Sequence, residues 1–161
     1  MHVFERNSAA VAAPPRELSA PGAALVLEWS ARVLGALALL AVGAVHLQQY
    51  RTIYSAIPTI GTLFVLNFAG ATAIGLGLLA PVERVPGRLG DAAVALLALG
   101  GIGLAATSFV FLFVSERTPL FGFMEPGYDP TAIMAARIAE IATVLLLGAF
   151  LVLRFVVSRA R

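Results

Sequence analysis

The sequence predicts an all-α fold: an integral membrane four-helix bundle with both termini cytoplasmic. Three observations predict it. Hydrophobic residues make up 60% of the 161 residues and charged residues only 12%, whereas a soluble domain carries about 45–50% and about 25%. A soluble chain this short cannot hide so much apolar side chain. Four stretches approach or exceed the roughly 20 mostly apolar residues that cross a bilayer core. The arginines, finally, are divided unequally between the segments that join those stretches.

Taken in order, residues 1–20 contain Pro14, Pro15, Ala and Ser and read as a flexible cytoplasmic tail. Residues 21–161 form the membrane domain, with spans at about 30–50, 60–80, 92–114 and 132–153. Span one runs from Ser30 to Leu47 and continues to Tyr50, its helix beginning near Pro21 or Gly22. Glu28 and Arg32 form an i,i+4 pair at its cytoplasmic edge, with Trp29 between them as an interfacial anchor. Val42-Gly43-Ala44 imitates a signal cleavage site, but about 30 residues precede the apolar run, so cleavage is not expected. Span two, Ile60 to Ala80, follows Pro58 and carries one Asn and no charge. Pro81, Pro86 and Gly87 break the chain before span three, Ala92 to Val114, which is also uncharged. Pro119, Pro126, Gly127 and Pro130 fill the next connection, and Asp129 or Thr131 caps span four, Ala132 to Leu153. Backbone groups in hydrocarbon must be satisfied within their own segment, so all four are helices.

Orientation follows from the arginines. Arg6, Arg16 and Arg32 precede or begin span one, Arg84 and Arg88 separate spans two and three, and Arg154, Arg159 and Arg161 follow span four. The opposite side has only Arg51 and Arg117. The positive-inside rule places the termini in the cytoplasm of a bacterium, the chain lying in its inner membrane. All basic residues are Arg, which reads as codon bias.

Several chemistries are excluded or left without a motif. No Cys means no disulfide, thiolate metal site or Cys-ligated iron–sulfur cluster. No phosphate loop, nucleophile elbow or zincin motif is present. His46, Glu116, Glu125 and Asp129 all fall near the outer surface, yet lack the spacing of a metal site. Bis-His haem ligation through His46 would need a second chain, because His2 is remote. No cofactor, no metal and no nucleic-acid partner are expected. The partners expected are the lipid bilayer and either a larger membrane complex or a second copy of the chain.

Small residues mark helix contacts in lipid. Ala69, Ala73 and Gly77 repeat at four-residue spacing in span two. Gly100, Gly101 and Gly103 lie in span three, and Ala132, Ala135, Ala136, Ala139 and Thr143 in span four. These stripes fit a tightly packed bundle or a homodimer seam.

The polar residues are the functional signal, because an ionisable group inside a span is costly unless paired or wetted. Arg137 and Glu140 lie ~9 and ~13 Å beyond Thr131, and Asn67 lies ~13 Å beyond Pro58. His46 is one turn before Tyr50, and Thr107 and Ser108 are about two turns before Val114. All four helices thus contribute polar groups to the outer half. Two readings are open. Arg137 pairs with Glu140 in a self-satisfied network that fixes helix register. Alternatively, these residues form an outward-opening site in which Arg137 binds an anionic or carbonyl group, Glu140 accepts a proton or cation, and His46 acts as a switch or ligand. The loops at this end are unusually apolar. Phe121, Phe123, Met124 and Tyr128, with Glu116, Glu125 and Asp129 among them, and Tyr50 and Tyr54 in the shorter loop, form either interfacial belts or a lid.

The stretch Arg32-Val-Leu-Gly35-Ala-Leu-Ala-Leu-Leu-Ala-Val-Gly43-Ala-Val-His46-Leu47 resembles the first helix of DoxX-like small four-helix membrane proteins, in Arg32, Gly35, Gly43 and His46-Leu47. Residues 57–67 and the Leu120-Phe-Gly-Phe-Met-Glu125 loop are similar to uncharacterised small actinobacterial membrane proteins. The DoxX resemblance implies a four-span fold and association with quinone-linked redox enzymes. The expected function is an accessory or scaffold subunit of a larger membrane complex. The alternatives are a small transporter or ligand-binding protein using Arg137 and Glu140, and a DoxX-like redox-associated subunit. No enzyme activity is assigned.

Overall fold

A computed structural model describes residues 20–82 and 88–159. It is all-helical over its regular elements: α1 Ala20–Thr52, α2 Pro58–Leu79, α3 Arg88–Ser115 and α4 Pro130–Arg159, with one 3-10 turn at Tyr54–Ala56. Four helices are long and apolar enough to cross a membrane. Each begins within the flanks expected from sequence and overruns the predicted span at one or both ends. The tail before Ala20, with His2, Arg6 and Arg16, lies outside the described residues, as do Arg84, Pro86, Gly87 and Arg161.

The helices run alternately up and down. Sequence neighbours pack together, and α4 closes the ring against α1. The α2–α3 seam is the thinnest of the four. We call the end holding the start of α1 and the end of α4 proximal, and the end holding the 53–57 and 116–129 loops distal. The bundle's outside is apolar throughout: Leu34, Leu37, Leu66, Leu76, Leu96, Leu99 and Leu145 are all exposed. An exterior of this size and character suits a hydrocarbon solvent.

The proximal half is close-packed. Ala31, Ala36, Leu78, Val94, Ala98, Leu147 and Phe150 form its core. Glycine lets the helix backbones approach. A Cβ on Gly75 would sit 2.8 Å from Leu40, and one on Gly101 would sit 2.9 Å from Leu147 and 3.0 Å from Leu39. The contact face of α2 differs from the one predicted. Ala71, Gly75 and Leu78 are buried, whereas Ala69 and Ala73 point outward. In α3, Gly101 is buried while Gly100 and Gly103 are exposed. In α4, Ala132, Ala136 and Thr143 are buried, Ala139 is half-buried and Ala135 is exposed. A helix that is apolar on every side gives no amphipathic signal of its rotation.

At the proximal end, charge is confined to the rim. Arg32 donates from Nε to the Leu78 carbonyl at 2.6 Å and from Nη2 to the Ala80 carbonyl at 2.8 Å, capping the C-terminus of α2. Glu28 pairs with Arg154 at 3.3 Å, and Arg154 also binds Asp91. Trp29 projects outward beside this network.

At the distal end, Asp129 caps α4: its Oδ1 accepts the Ala132 N–H at 3.0 Å, and Pro130 takes the first helical position. Its Oδ2 accepts from Gln49 Nε2 at 2.9 Å, tying the start of α4 to the end of α1. These two donors, the Ala132 N–H first, hold the Asp129 carboxyl below its usual range.

Candidate functional site: a cavity in the distal half

Two features prevent the distal half from closing. The first is bulk. His46 of α1 lies against Phe64 of α2 at 5.0 Å between ring centroids. Tyr54 stacks on Phe64 at 4.5 Å, and Phe123 meets Tyr54 edge-on at 5.7 Å. The second is the long loop, which folds inward. Leu120 and Phe123 exchange two backbone hydrogen bonds of 2.7 and 3.0 Å across a two-residue turn. Both turn residues, Phe121 and Gly122, have positive φ, of 53° and 80°. That is the geometry of a type I′ turn. It turns Leu120 and Phe123 inward and leaves Phe121 and Met124 exposed.

Glu125 fixes this loop in place. Its backbone N–H donates to the Ser115 carbonyl at 2.8 Å. Its Oε1 accepts from the Gly127 and Tyr128 N–H groups at 2.8 and 3.1 Å. Its Oε2 accepts the Tyr54 hydroxyl. Gly127 adopts φ 87°, a value few side chains tolerate. The carboxyl is 6% exposed and fully engaged. Burial pushes the Tyr54 phenol above its usual range, and the Glu125 carboxylate adds to the effect.

Beneath this roof lies a cavity of about 410 Å³. Its walls are mainly apolar, from Ile60, Leu63, Phe64, Leu104, Phe111, Leu112 and Ile133. Its polar lining comes from His46, Gln49, Tyr54, Asn67, Thr107, Ser108, Ser115, Glu125 and Glu140. Among the described residues, no Lys or Arg lines it. Three lining residues are exposed: Leu66 on α2, and Gly103 and Thr107 on α3. Leu66 and Thr107 stand ~12 Å below the distal ends of their helices. The mouth therefore faces sideways through the α2–α3 seam. The end-on opening expected from sequence is covered by Leu120, Phe123 and Glu125.

His46 has its two ring nitrogens assigned by their neighbours. Nδ1 donates to the Val42 carbonyl at 2.8 Å, which leaves Nε2 to accept the Ser108 hydroxyl at 3.0 Å. Both ring nitrogens are thereby engaged. Glu140 is the opposite case. It is 1% exposed, and neither carboxyl oxygen has a hydrogen-bond partner. The Asn67 Oδ1 is buried and unpartnered in the same way. Buried polar atoms without partners are rare because each costs about 1–3 kcal/mol.

The structure brings together His46, Asn67, Thr107, Ser108 and Glu140, as the depth of each along its helix predicts. It adds Glu125 and Tyr54 from the loops. It leaves Arg137 out. Arg137 does not pair with its i+3 neighbour Glu140. Its Nη2 instead reaches Glu116, at 2.5 Å from both carboxylate oxygens. The pair is about one-quarter to one-third exposed at the distal rim. A long guanidinium stem reaches back toward the helix start, where water and Glu116 lie, and avoids the apolar depth. Tyr50 and Tyr128 also stand outside the cavity, Tyr128 on the surface. His46, Glu116, Glu125 and Asp129 do not converge, and no three potential ligands among the described residues could hold a metal ion.

Sequence reasoning missed Gln49 and Ser115. Both carry a signal: Gln49 lies three residues after His46, and Ser115 seven after Ser108, each on its partner's helix face. The apolar lining of Phe64, Phe111 and Phe123 carries none, since such residues read equally as lipid-facing. No family model, curated protein or solved structure matches the chain.

Proposed function

We propose that this chain is a small multi-pass inner-membrane protein that binds an amphipathic small molecule drawn from the bilayer. In this reading both termini are cytoplasmic and the distal end faces outward, as the arginine count requires. One observation carries the proposal. Three buried oxygens, Asn67 Oδ1 and both of Glu140, stand unpartnered in the lining of a cavity with a sideways mouth. A self-satisfied structural network would have partnered them. A ligand polar at one end and apolar over its body fits both the unpartnered oxygens and the aliphatic and aromatic walls. In this reading the mouth at Leu66, Gly103 and Thr107 lies at the depth of acyl chains, so the ligand need not cross water.

The test is native mass spectrometry of the protein extracted gently from its own membrane, beside a Gly103→Phe variant. A Cβ at Gly103 meets nothing within 4 Å, so the new side chain starts from open space at the mouth. The expected result is a defined small-molecule mass on the wild type that Gly103→Phe loses. A bare chain in both samples overturns the proposal.

A second reading is an accessory subunit docked to a larger membrane complex. It is favoured by Phe121, Met124 and Tyr128, which are exposed together on the distal loop. A stoichiometric protein partner, with no small molecule, in the same measurement supports it.

A further inference from the structure

We infer that the ligand is a lipophilic amine, held in the cavity as its ammonium ion by Glu140 and Asn67. This rests on the reading of the cavity as a ligand site and names the chemistry it selects.

The argument is one of charge and of donor count. Two carboxyl groups line the cavity, from Glu125 and Glu140, and among the described residues no Lys or Arg does. Arg137, the cation next to Glu140 along α4, is engaged by Glu116. His46 is engaged at both ring nitrogens, by the Val42 carbonyl and the Ser108 hydroxyl. Glu125 is satisfied by Tyr54, Gly127 and Tyr128. The buried lining atoms left unpartnered are therefore all acceptors: two oxygens of Glu140 and one of Asn67. An anionic head would meet carboxylates and no compensating cation. A hydroxyl has one proton to offer. A primary ammonium offers three N–H donors and a full positive charge.

The walls agree with this choice. Phe64, Phe111 and Phe123 line the cavity, and aromatic rings attract cations over their faces. The remaining aliphatic lining suits an apolar body. The sideways mouth at Leu66, Gly103 and Thr107 admits molecules already dissolved in the membrane.

Three probes with one body separate the head groups: 4-phenylbutylamine, 4-phenylbutanol and 4-phenylbutyrate, titrated calorimetrically into the purified full-length protein in detergent at neutral pH. The amine is expected to bind at least tenfold more tightly than the alcohol, and the carboxylate not at all. In Glu140→Gln, which keeps shape and removes charge, amine affinity falls to that of the alcohol while the alcohol is unchanged. The wild-type comparison stands even if that variant fails to fold. Alcohol binding equal to or tighter than amine binding overturns the inference but leaves the cavity as a ligand site, provided Gly103→Phe abolishes it. Amine binding unchanged in a folded Glu140→Gln also overturns the inference. No binding by any probe, together with a bare chain from native membranes, overturns the inference and the ligand-site reading together.

Discussion

In the proximal half of the bundle, Gly75 lies against Leu40, and Gly101 against Leu39 and Leu147, and the helices close on one another. In the distal half the same four helices carry His46, Phe64, Asn67, Phe111 and Glu140, and they stand apart around a cavity. The difference lies in side-chain size at the facing positions and in whether polar atoms find partners. Proximal charges are paired at the rim or donate to helix-end carbonyls. Distal polar groups are split between a saturated set around Glu125 and an unsaturated set around Glu140. One half satisfies its own polar atoms, and the other leaves three buried oxygens without partners.

The two buried carboxyls offer the strongest way to break this comparison. Glu125→Ala removes three hydrogen bonds and frees the roof, and is expected to cost about 3 kcal/mol in a thermal or denaturant unfolding series. Glu140→Leu should do the reverse. Replacing an unpartnered buried carboxyl by an aliphatic group should stabilise the empty protein by about 2 kcal/mol. If both changes destabilise equally, the two sets are not different in kind.

The glycines sharpen the contrast along a single helix. Gly101→Ala drives a methyl into Leu39 and Leu147 and should cost about 1 kcal/mol. Gly103→Ala, two residues on, meets nothing and should change stability by less than about 0.5 kcal/mol. Equal effects, read from unfolding midpoints, would remove the distinction between closed and open halves.

Smaller effects test the rim. A double-mutant cycle between Arg137 and Glu116 should show coupling of about 1 kcal/mol or less, since both groups are partly exposed. The corresponding cycle between Arg137 and Glu140 should show less. Asp129 sets the last prediction. Its carboxyl titrates below the usual range in the folded chain, so its contribution is fully present above the ordinary Asp value and is lost as pH falls through the lowered one. Acid should therefore fray the start of α4 first, and Asp129→Asn should remove that step from a helicity titration.

Much of this was legible in the sequence. The helices were, because continuous apolar runs of this length have no other solution in lipid. Five cavity residues were, because distance along a helix converts directly into depth. The partner of Arg137 was not. Spacing brings it near Glu140, but the flexible stem chose Glu116, 21 residues away, at the wetter level. The packing face of α2 was misread for a related reason. With apolar residues all round, Ala69 and Ala73 look no different from Ala71 and Gly75 until a neighbouring helix is present.

Arg32 links the first turns of α1 to the last turn of α2 through the carbonyls of Leu78 and Ala80. Both participants lie in the first half of the chain, so this latch needs nothing that is synthesised later. A nascent chain that has released α2 already holds everything this latch needs, so the first hairpin can fasten before the second is made.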